Sequence, residues 1–549
     1  MKDNNSTTEK SERLSDKTTL EKQWKAIDWK QAEEYVNRLQ IRIAKATKEN
    51  KHNTVKRLQY LLTHSFYAKA IAVKRVTTNK GKQTAGIDGM LWTTTADKMQ
   101  AVLTLTDKHY QAKPLKRVYI EKKGKNKKRP LGIPTMYDRA MQALYSLALD
   151  PVAETTADNR SFGFRKGRCC QDACEHLFQL LSRENSAQWV LEGDIKGCFD
   201  HISHQWLMDN IPMDKTVLKQ FLNAGFVYSK QLFPTEEGTP QGGIISPILA
   251  NMTLDGIEDI LDKEFHRTQR EAFKNQVALV RYADDFVVTA TDRETAERAK
   301  ELIQEFLTER GLTLSEEKTL ITNIQDGFDM LGWNFRKYNG KLIVKPSKKS
   351  IKAFNETLHE IILGRGKMWT QEALIAKLNQ AITGWTNYHQ SVCASETFAA
   401  VDSNIYELLW RWATRRHPNK SQGWKVKRYW HSKGTRNWVF CTDKIELKKA
   451  ENTPIIRHVK IRASANPYLE PEYFESRKFQ NGMRRLSGKF KTVWKKQKGI
   501  CPVCDKSIDL AEERRIYFKV PRKDGGKGTI DNMIYVHYDC FKQIQCCRA

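Results

Sequence analysis

The run Ala278-Leu279-Val280-Arg281-Tyr282-Ala283-Asp284-Asp285-Phe286-Val287-Val288 constrains this chain more than any other. Two apolar, strand-like stretches meet there over a pair of adjacent carboxylates. So short a connection makes an antiparallel hairpin, and paired anions at its tip repel one another unless something neutralises them. Magnesium fits that need, because it takes few carboxylates and keeps positions for substrate phosphates. Taken alone, Asp284 and Asp285 are also ordinary turn formers. Upstream, however, Trp189-Val190-Leu191-Glu192-Gly193-Asp194 reads as a further strand that ends on an acid. A third carboxylate completes a two-metal site for phosphoryl transfer, in which ions about 4 Å apart share bridging carboxylates.

A formal net charge of +29 narrows the partner. Lysine and arginine in such excess suit a large polyanion, since released counterions drive association with a phosphate backbone. The rival reading, a basic protein of a membrane surface, has no uninterrupted apolar span behind it. The first residues, Met1 to Ser6, are polar and precede no apolar signal core. Eleven cysteines, an odd number, argue against a secreted disulfide framework, so the expected location is a reducing cytoplasm, the bacterial cytosol or nucleoid. With 549 residues, several domains are expected.

Helical stripes recur along the chain. Trp29, Ala32, Val36, Leu39 and Ile43 share one face, and Val55, Leu58 and Leu62 another. Asp292 is a good N-cap before Ala296, Ala299, Ile303 and Leu307. Two later stripes are Leu374, Leu378, Ile382, Trp385 and Val401, Ile405, Leu409, Trp412. Basic and aromatic residues interleave over Arg411–Lys420 and Trp424–Trp430, a pattern in which charges track phosphates and rings stack on unpaired bases. Near the C-terminus, Cys501-Pro502-Val503-Cys504 and His537-Tyr538-Asp539-Cys540 form two short ligand pairs with zinc-site spacing.

Several motifs occur in a family order: Lys128-Arg129-Pro130-Leu131-Gly132-Ile133-Pro134, Ser161-Phe162-Gly163-Phe164-Arg165, the Asp194 strand, Gly238-Thr239-Pro240-Gln241-Gly242-Gly243, the Tyr282–Asp285 turn and Gly311-Leu312-Thr313-Leu314. With Thr84-Ala85-Gly86-Ile87-Asp88-Gly89 ahead of them and Gly384-Trp385-Thr386-Asn387-Tyr388-His389 behind, the chain resembles the reverse transcriptases encoded within group II introns. The resemblance implies an α+β multidomain fold: an N-terminal helical extension (1–84), right-hand polymerase fingers and palm (85–350), an α-helical thumb or maturase domain (351–430), a DNA-binding region (431–490) and a small zinc-stabilised HNH-like domain (491–549).

The same resemblance implies roles for individual residues. Asp194, Asp284 and Asp285 would hold two catalytic magnesium ions. Arg129 would bind triphosphate oxygens, Gln241 would contact the incoming deoxynucleotide, and Phe199 would lie beneath its sugar and exclude a 2′-hydroxyl. Ile195, beside Asp194, belongs to the same substrate site, and Lys318 would protonate the departing pyrophosphate. Intron RNA, target DNA and deoxynucleotides are the implied partners, with no membrane. His389 and Tyr388 read better as packed core residues than as RNA contacts.

At the C-terminus the pattern departs from the family. Cys501, Cys504, His537 and Cys540 would bind a structural zinc, and Pro521-Arg522-Lys523-Asp524-Gly525-Gly526 with Asp531-Asn532 matches an HNH-type nuclease. Where related nucleases carry two histidines, this chain has Tyr517 and Phe518, and Phe541 and Gln545 stand where further histidines are expected. Neither ring is a neutral-pH base, so endonuclease activity is expected to be absent. The leading expectation is a reverse transcriptase and maturase that assists splicing and copies its intron. The alternatives are a splicing-only maturase and a stand-alone reverse transcriptase.

Overall fold

Asp28 starts a long helix by accepting hydrogen bonds from the backbone N–H groups of Lys30 and Gln31, the standard remedy for unpaired donors at a helix start. The helix that follows, α1 (Trp29–Lys48), buries the predicted stripe through Ala32, Val36, Leu39 and Ile43. These coordinates are a computed structural model that describes residues 17–121, 128–229, 231–240, 242–510 and 514–546. The chain forms two compact units, one from residues 1–169, 191–320 and 461–549, the other from 170–190 and 321–460.

In the first unit α2 (His52–His64) and α3 (Phe66–Thr78) complete an N-terminal helical group. Ala68, Ala70 and Ala72 of α3 are fully buried, and such short side chains let α3 lie close against a central helix further on. A capping box between Thr94 and Asp97 starts α4 (Thr95–Thr104). Next come β1 (Leu115–Glu121) and β2 (Lys128–Ile133), paired antiparallel from Lys116↔Ile133 to Glu121↔Lys128. The central helix, α5 (Met136–Thr156), is buried over most of its length. Its Arg139 donates to the carbonyls of Pro134, Gly81 and Thr84. The Thr84–Gly89 loop is thereby tied to α5, and Gly86 lies so close to Thr135 that a Cβ there would come within 2.6 Å of the Thr135 Cα.

β3 (Trp189–Asp194) carries the chain back into this unit. Short strands β4 (Phe226–Tyr228) and β5 (Gln231–Phe233) extend the first sheet to the order β2-β1-β4-β5. Helices α6 (Ser246–Leu254) and α7 (Ile257–Phe265) lead to β6 (Ala278–Tyr282) and β7 (Asp285–Ala290), and β7 lies between β6 and β3. Asp292 caps α8 (Arg293–Thr308) as predicted, accepting from the Thr295 N–H, and α8 packs on β7.

The second unit is entered along β8 (Leu320–Asn323) and contains a sheet ordered β11-β10-β9 from β9 (Phe328–Met330), β10 (Trp333–Tyr338) and β11 (Lys341–Pro346). Phe328–Met330 builds β9, and Trp333 begins β10. Helices α9 (Lys348–His359), α10 (Gln371–His389), α11 (Ser395–Arg416) and α12 (Gln422–Tyr429) follow, then the hairpin β12 (Trp430–Lys433) and β13 (Arg436–Phe440). Leu374, Leu378 and Ile382 of α10 and Val401, Ile405, Leu409 and Trp412 of α11 are buried as their spacing predicts. Of the interleaved basic and aromatic residues, Trp412 and Trp430 are core, and Trp424 is exposed. Trp333 stacks on Tyr388 at 4.7 Å, Phe354 stacks on Trp385 at 4.5 Å, and the Tyr388 hydroxyl donates to the Leu331 carbonyl.

Residues 461–549 return to the first unit. Tyr468 donates to Asp150, Asn466 to Thr155, and Arg168 to the carbonyls of Ala463 and Ala465. Beyond α13 (Pro471–Arg485) and α14 (Gly488–Lys496), β14 (Arg514–Phe518) pairs antiparallel with β15 (Met533–His537), which runs into α15 (Tyr538–Cys546). This ββα module has its own core of Trp494, Cys501, Ile508, Met533, Tyr535 and Val536.

His389 shows what packing costs a titratable group. It is 1% exposed, with Nε2 3.0 Å from the Ser350 hydroxyl, and burial pushes its pKa down to about 4. A histidine held neutral in the folded state contributes stability that is present above its unfolded pKa near 6.5 and lost as pH falls towards the folded value, at most about 3 kcal/mol. The stability gap between the natural protein and His389→Gln, followed by tryptophan fluorescence in urea, should therefore narrow between pH 7 and pH 4.5. A pH-independent gap would contradict this.

Candidate functional site

The acidic turn is as tight as the sequence suggests, with Tyr282 and Asp285 paired directly across it. Ala283 closes it at φ 59°, a left-handed conformation that costs an L-residue about 1 kcal/mol. Several contacts from beneath hold it there. Arg281, fully buried, donates to the Ala283 carbonyl at 3.4 Å and to Asn251 Oδ1 at 3.2 Å, and pairs with Asp255. Asn251 in turn donates to the Gly163 carbonyl at 2.8 Å. The Ser161–Arg165 motif runs beside β6, with the Phe162 N–H on the Arg281 carbonyl and the Arg281 N–H on the Arg160 carbonyl. Gly163 abuts the turn so closely that a Cβ would sit 2.3 Å from the Ala283 nitrogen.

β3 brings Asp194 to the same end of the sheet. It can lie this close because Gly193 has no side chain: a Cβ there would fall 2.0 Å from the Phe286 ring. The Asp194 carbonyl accepts from the Ser315 N–H at 2.8 Å, and its Oδ2 lies 2.6 Å from Lys318 Nζ. Burial and the charges of Asp284 and Asp194 push Asp285 up to about 6. Burial raises Asp284 as well, opposed by Arg129 and Lys318. Beneath them, burial and the nearby acids push the Cys198 thiol up to about 12. Carboxylates that resist ionisation together, opposed by an ammonium and a guanidinium, form a donor set suited to divalent cations with oxygen ligands.

The remaining predicted residues divide. Phe199 is half-buried, and its carbonyl accepts from the Thr239 N–H at 2.6 Å, which ties it to the glycine-rich loop. Gln241 lies outside the described residues, but its neighbours are fixed. Pro240 accepts from Gly243 N and Ser246 Oγ, Gly242 at φ 111° faces the Gly132 carbonyl, and Gln142 accepts from the Ile244 N–H at 2.8 Å. Arg129 is exposed on β2, and its charge reaches Asp284. The basic loop before it, 122–127, lies outside the described residues. Ile195 is 2% exposed and its backbone bridges to Leu314, so its side chain packs in the core and any part it takes at the site runs through its main chain. Sequence reasoning missed Gln142, Asn251 and Asp255. It also missed the buttressing role of Arg281, for which a charged residue inside an apolar strand was the available signal.

At the C-terminus, ligand atoms of Cys501, Cys504, His537 and Cys540 all lie within 4.8 Å of one another. His537 Nδ1 is 3.4 Å from Cys504 Sγ and 3.9 Å from Cys540 Sγ, and Nε2 faces the Ser507 carbonyl at 3.3 Å. A carbonyl on the far nitrogen is the usual way a metal-binding imidazole is oriented. Hydrogen bonds from Cys540 and His537 hold Cys501 down at about 3, close to thiolate. Asn532 exchanges hydrogen bonds with both backbone groups of Val520 and donates to the Lys527 carbonyl, which fixes the loop between the strands. Tyr517 and Phe541 contact edge to face at 6.3 Å.

Comparison with known proteins agrees with this geometry. Residues 24–105 match the N-terminal domain of reverse transcriptase, 120–335 match reverse transcriptase (RNA-dependent DNA polymerase), and 351–430 match the group II intron maturase-specific domain. The chain is similar to the group II intron-encoded protein LtrA of Lactococcus lactis subsp. cremoris, 31% identical over 389 residues, covering 58% of this chain and 63% of LtrA. It is also similar to protein YkfC of Escherichia coli strain K12, 31% identical over 315 residues, covering 51% of this chain and 82% of YkfC. Maturase-like protein 1 of Euglena gracilis is 23% identical over 373 residues, covering 66% of this chain and 76% of the relative. The chain belongs to the group II intron-encoded reverse transcriptase and maturase family. No helix among its described residues is long and apolar enough to cross a membrane.

Gly163→Ala should displace the acidic turn, because the main chain it meets has nowhere to go. A shift of about 1 Å in reacting groups costs on the order of a hundredfold in rate. Single-nucleotide incorporation should therefore fall by about that factor while circular dichroism stays unchanged, and near-normal turnover would show that the turn has slack.

Proposed function

We propose that this protein is an RNA-directed DNA polymerase that also binds its intron RNA, assists splicing and copies that RNA into DNA at a target site. One observation carries the reading: Asp194 at the end of β3 and Asp284 and Asp285 at the β6–β7 turn come to one end of the sheet, with Lys318 on Asp194 and the charge of Arg129 on Asp284. Magnesium, when bound by these three acids, polarises the primer 3′-hydroxyl and neutralises the phosphates. The protein supplies in-line positioning and electrostatic stabilisation, which is most of what phosphoryl transfer requires of it. Arg129 grips triphosphate oxygens through its planar fork, Gln241 contacts the incoming nucleotide, and Phe199 bars a ribose 2′-hydroxyl. Lys318, whose Nζ lies 2.6 Å from Asp194 Oδ2, passes a proton to the departing pyrophosphate. The helical second unit, with its basic and aromatic surface, takes the intron RNA.

Asp284→Ala should lower primer extension on an RNA template, with magnesium and deoxynucleotides, by at least a thousandfold relative to the natural chain. No extension by either protein would favour the splicing-only maturase.

The C-terminal module, on the same reading, folds around one structural zinc through Cys501, Cys504, His537 and Cys540 and binds DNA without cutting it. Purified protein should contain close to one equivalent of zinc, and Cys501→Ser should lose it. Incubated with intron RNA and target duplex, the natural protein should leave the second strand intact. Detectable cleavage would overturn the inert assignment, and a zinc-free natural protein the structural one.

A further inference from the structure

Phe164 breaks two rules at once. Its backbone adopts φ 59°, a region that bulky residues rarely enter, and its large apolar side chain is 56% exposed. A glycine or asparagine would satisfy the same turn without strain, so the local fold gains nothing from a phenylalanine here.

The conformation is imposed from both sides. On one, Gly163 is buried against the Tyr282–Ala283 main chain and its carbonyl is held by Asn251. On the other, the buried Arg165 grips Glu154 at 3.0 Å and donates to the carbonyls of Asp158 at 2.7 Å and Ser161 at 3.0 Å. Between these anchors Phe164 has no choice of backbone, and its ring is carried outward one residue from the catalytic turn. The exposed Lys166 follows closely, its backbone N–H fixed on Glu154. Strain that the surroundings over-determine at the edge of an active site is the expected mark of a side chain kept for contact with a ligand.

We propose that the Phe164 ring is a contact for the primer–template duplex, packing against a base or sugar beside the catalytic turn. Aromatic faces accept any base, so the contact tolerates all sequences, as a polymerase requires. The proposal rests on the polymerase reading above and deepens it by naming a residue that holds the nucleic acid rather than the metals or the nucleotide.

The test sets stability against binding. Phe164→Gly relieves the strained backbone and removes the ring, so its melting temperature should equal or exceed that of the natural protein. Its dissociation constant for a labelled RNA–DNA primer–template, measured by anisotropy, should rise by at least about fivefold, the low end for losing one base–aromatic stack. Phe164→Trp should bind like the natural chain. A Phe164→Gly protein that binds normally would overturn the proposal. So would one that melts lower and binds more weakly in proportion, since that is what a purely structural ring predicts. Primer extension by the natural protein, run alongside, separates the two levels: failure there overturns the polymerase reading and this proposal with it, whereas extension with unchanged binding by the variant removes only the ring's role.

Discussion

Three carboxylates brought to one end of a sheet repel one another, and much of the first unit holds them there. None of the three is held by its own side-chain contacts alone. Asp284 and Asp285 are placed by a turn whose strained alanine is gripped from below by Arg281, and Asp194 by a strand that comes close only because Gly193 has no side chain. The buttress is itself charged. Arg281 faces both Asp255 and Asp158, two acids on one guanidinium, and burial pushes Asp255 up to about 7. Removing a partner from such a buried set costs more than the set contributes intact. A site that must carry excess negative charge is thus mounted on a foundation that tolerates little change.

Much of this was legible because the chemistry fixes residue type and spacing. Adjacent acids between apolar runs, a strand ending on a third acid and helical stripes such as Leu374, Leu378 and Ile382 all folded as their patterns demand. The supporting shell was not legible. Gln142, Asn251 and Asp255 are separated from the acids they serve by long stretches of chain, and a side-chain amide facing a distant backbone has no periodic signature. Ile195 shows a related limit: adjacency to Asp194 in sequence does not decide which face of the chain it presents, and its side chain turns into the core. The family order of motifs located the site, and the packing showed what holds it.

The C-terminal module separates architecture from chemistry. Its ligand quartet, its paired strands and the Asn532 brace all depend on local geometry, and that geometry survives with Tyr517 and Phe541 in edge-to-face contact. A small module too short to stabilise itself by apolar burial alone gains from gathering Cys501, Cys504, His537 and Cys540 at one point.

The first unit is assembled from three stretches of chain separated by the whole of the second. Asp150, Thr155 and Arg168 are made early in synthesis, yet their partners Tyr468, Asn466, Ala463 and Ala465 emerge roughly three hundred residues later. Contacts of such sequence separation are slow to form, because a long loop must close before they are gained. During synthesis the α5 end of the first unit therefore waits with buried-type polar groups still exposed until residues 463–468 have emerged. A chain halted before them holds Asp194, Asp284 and Asp285 with part of its framework unfinished.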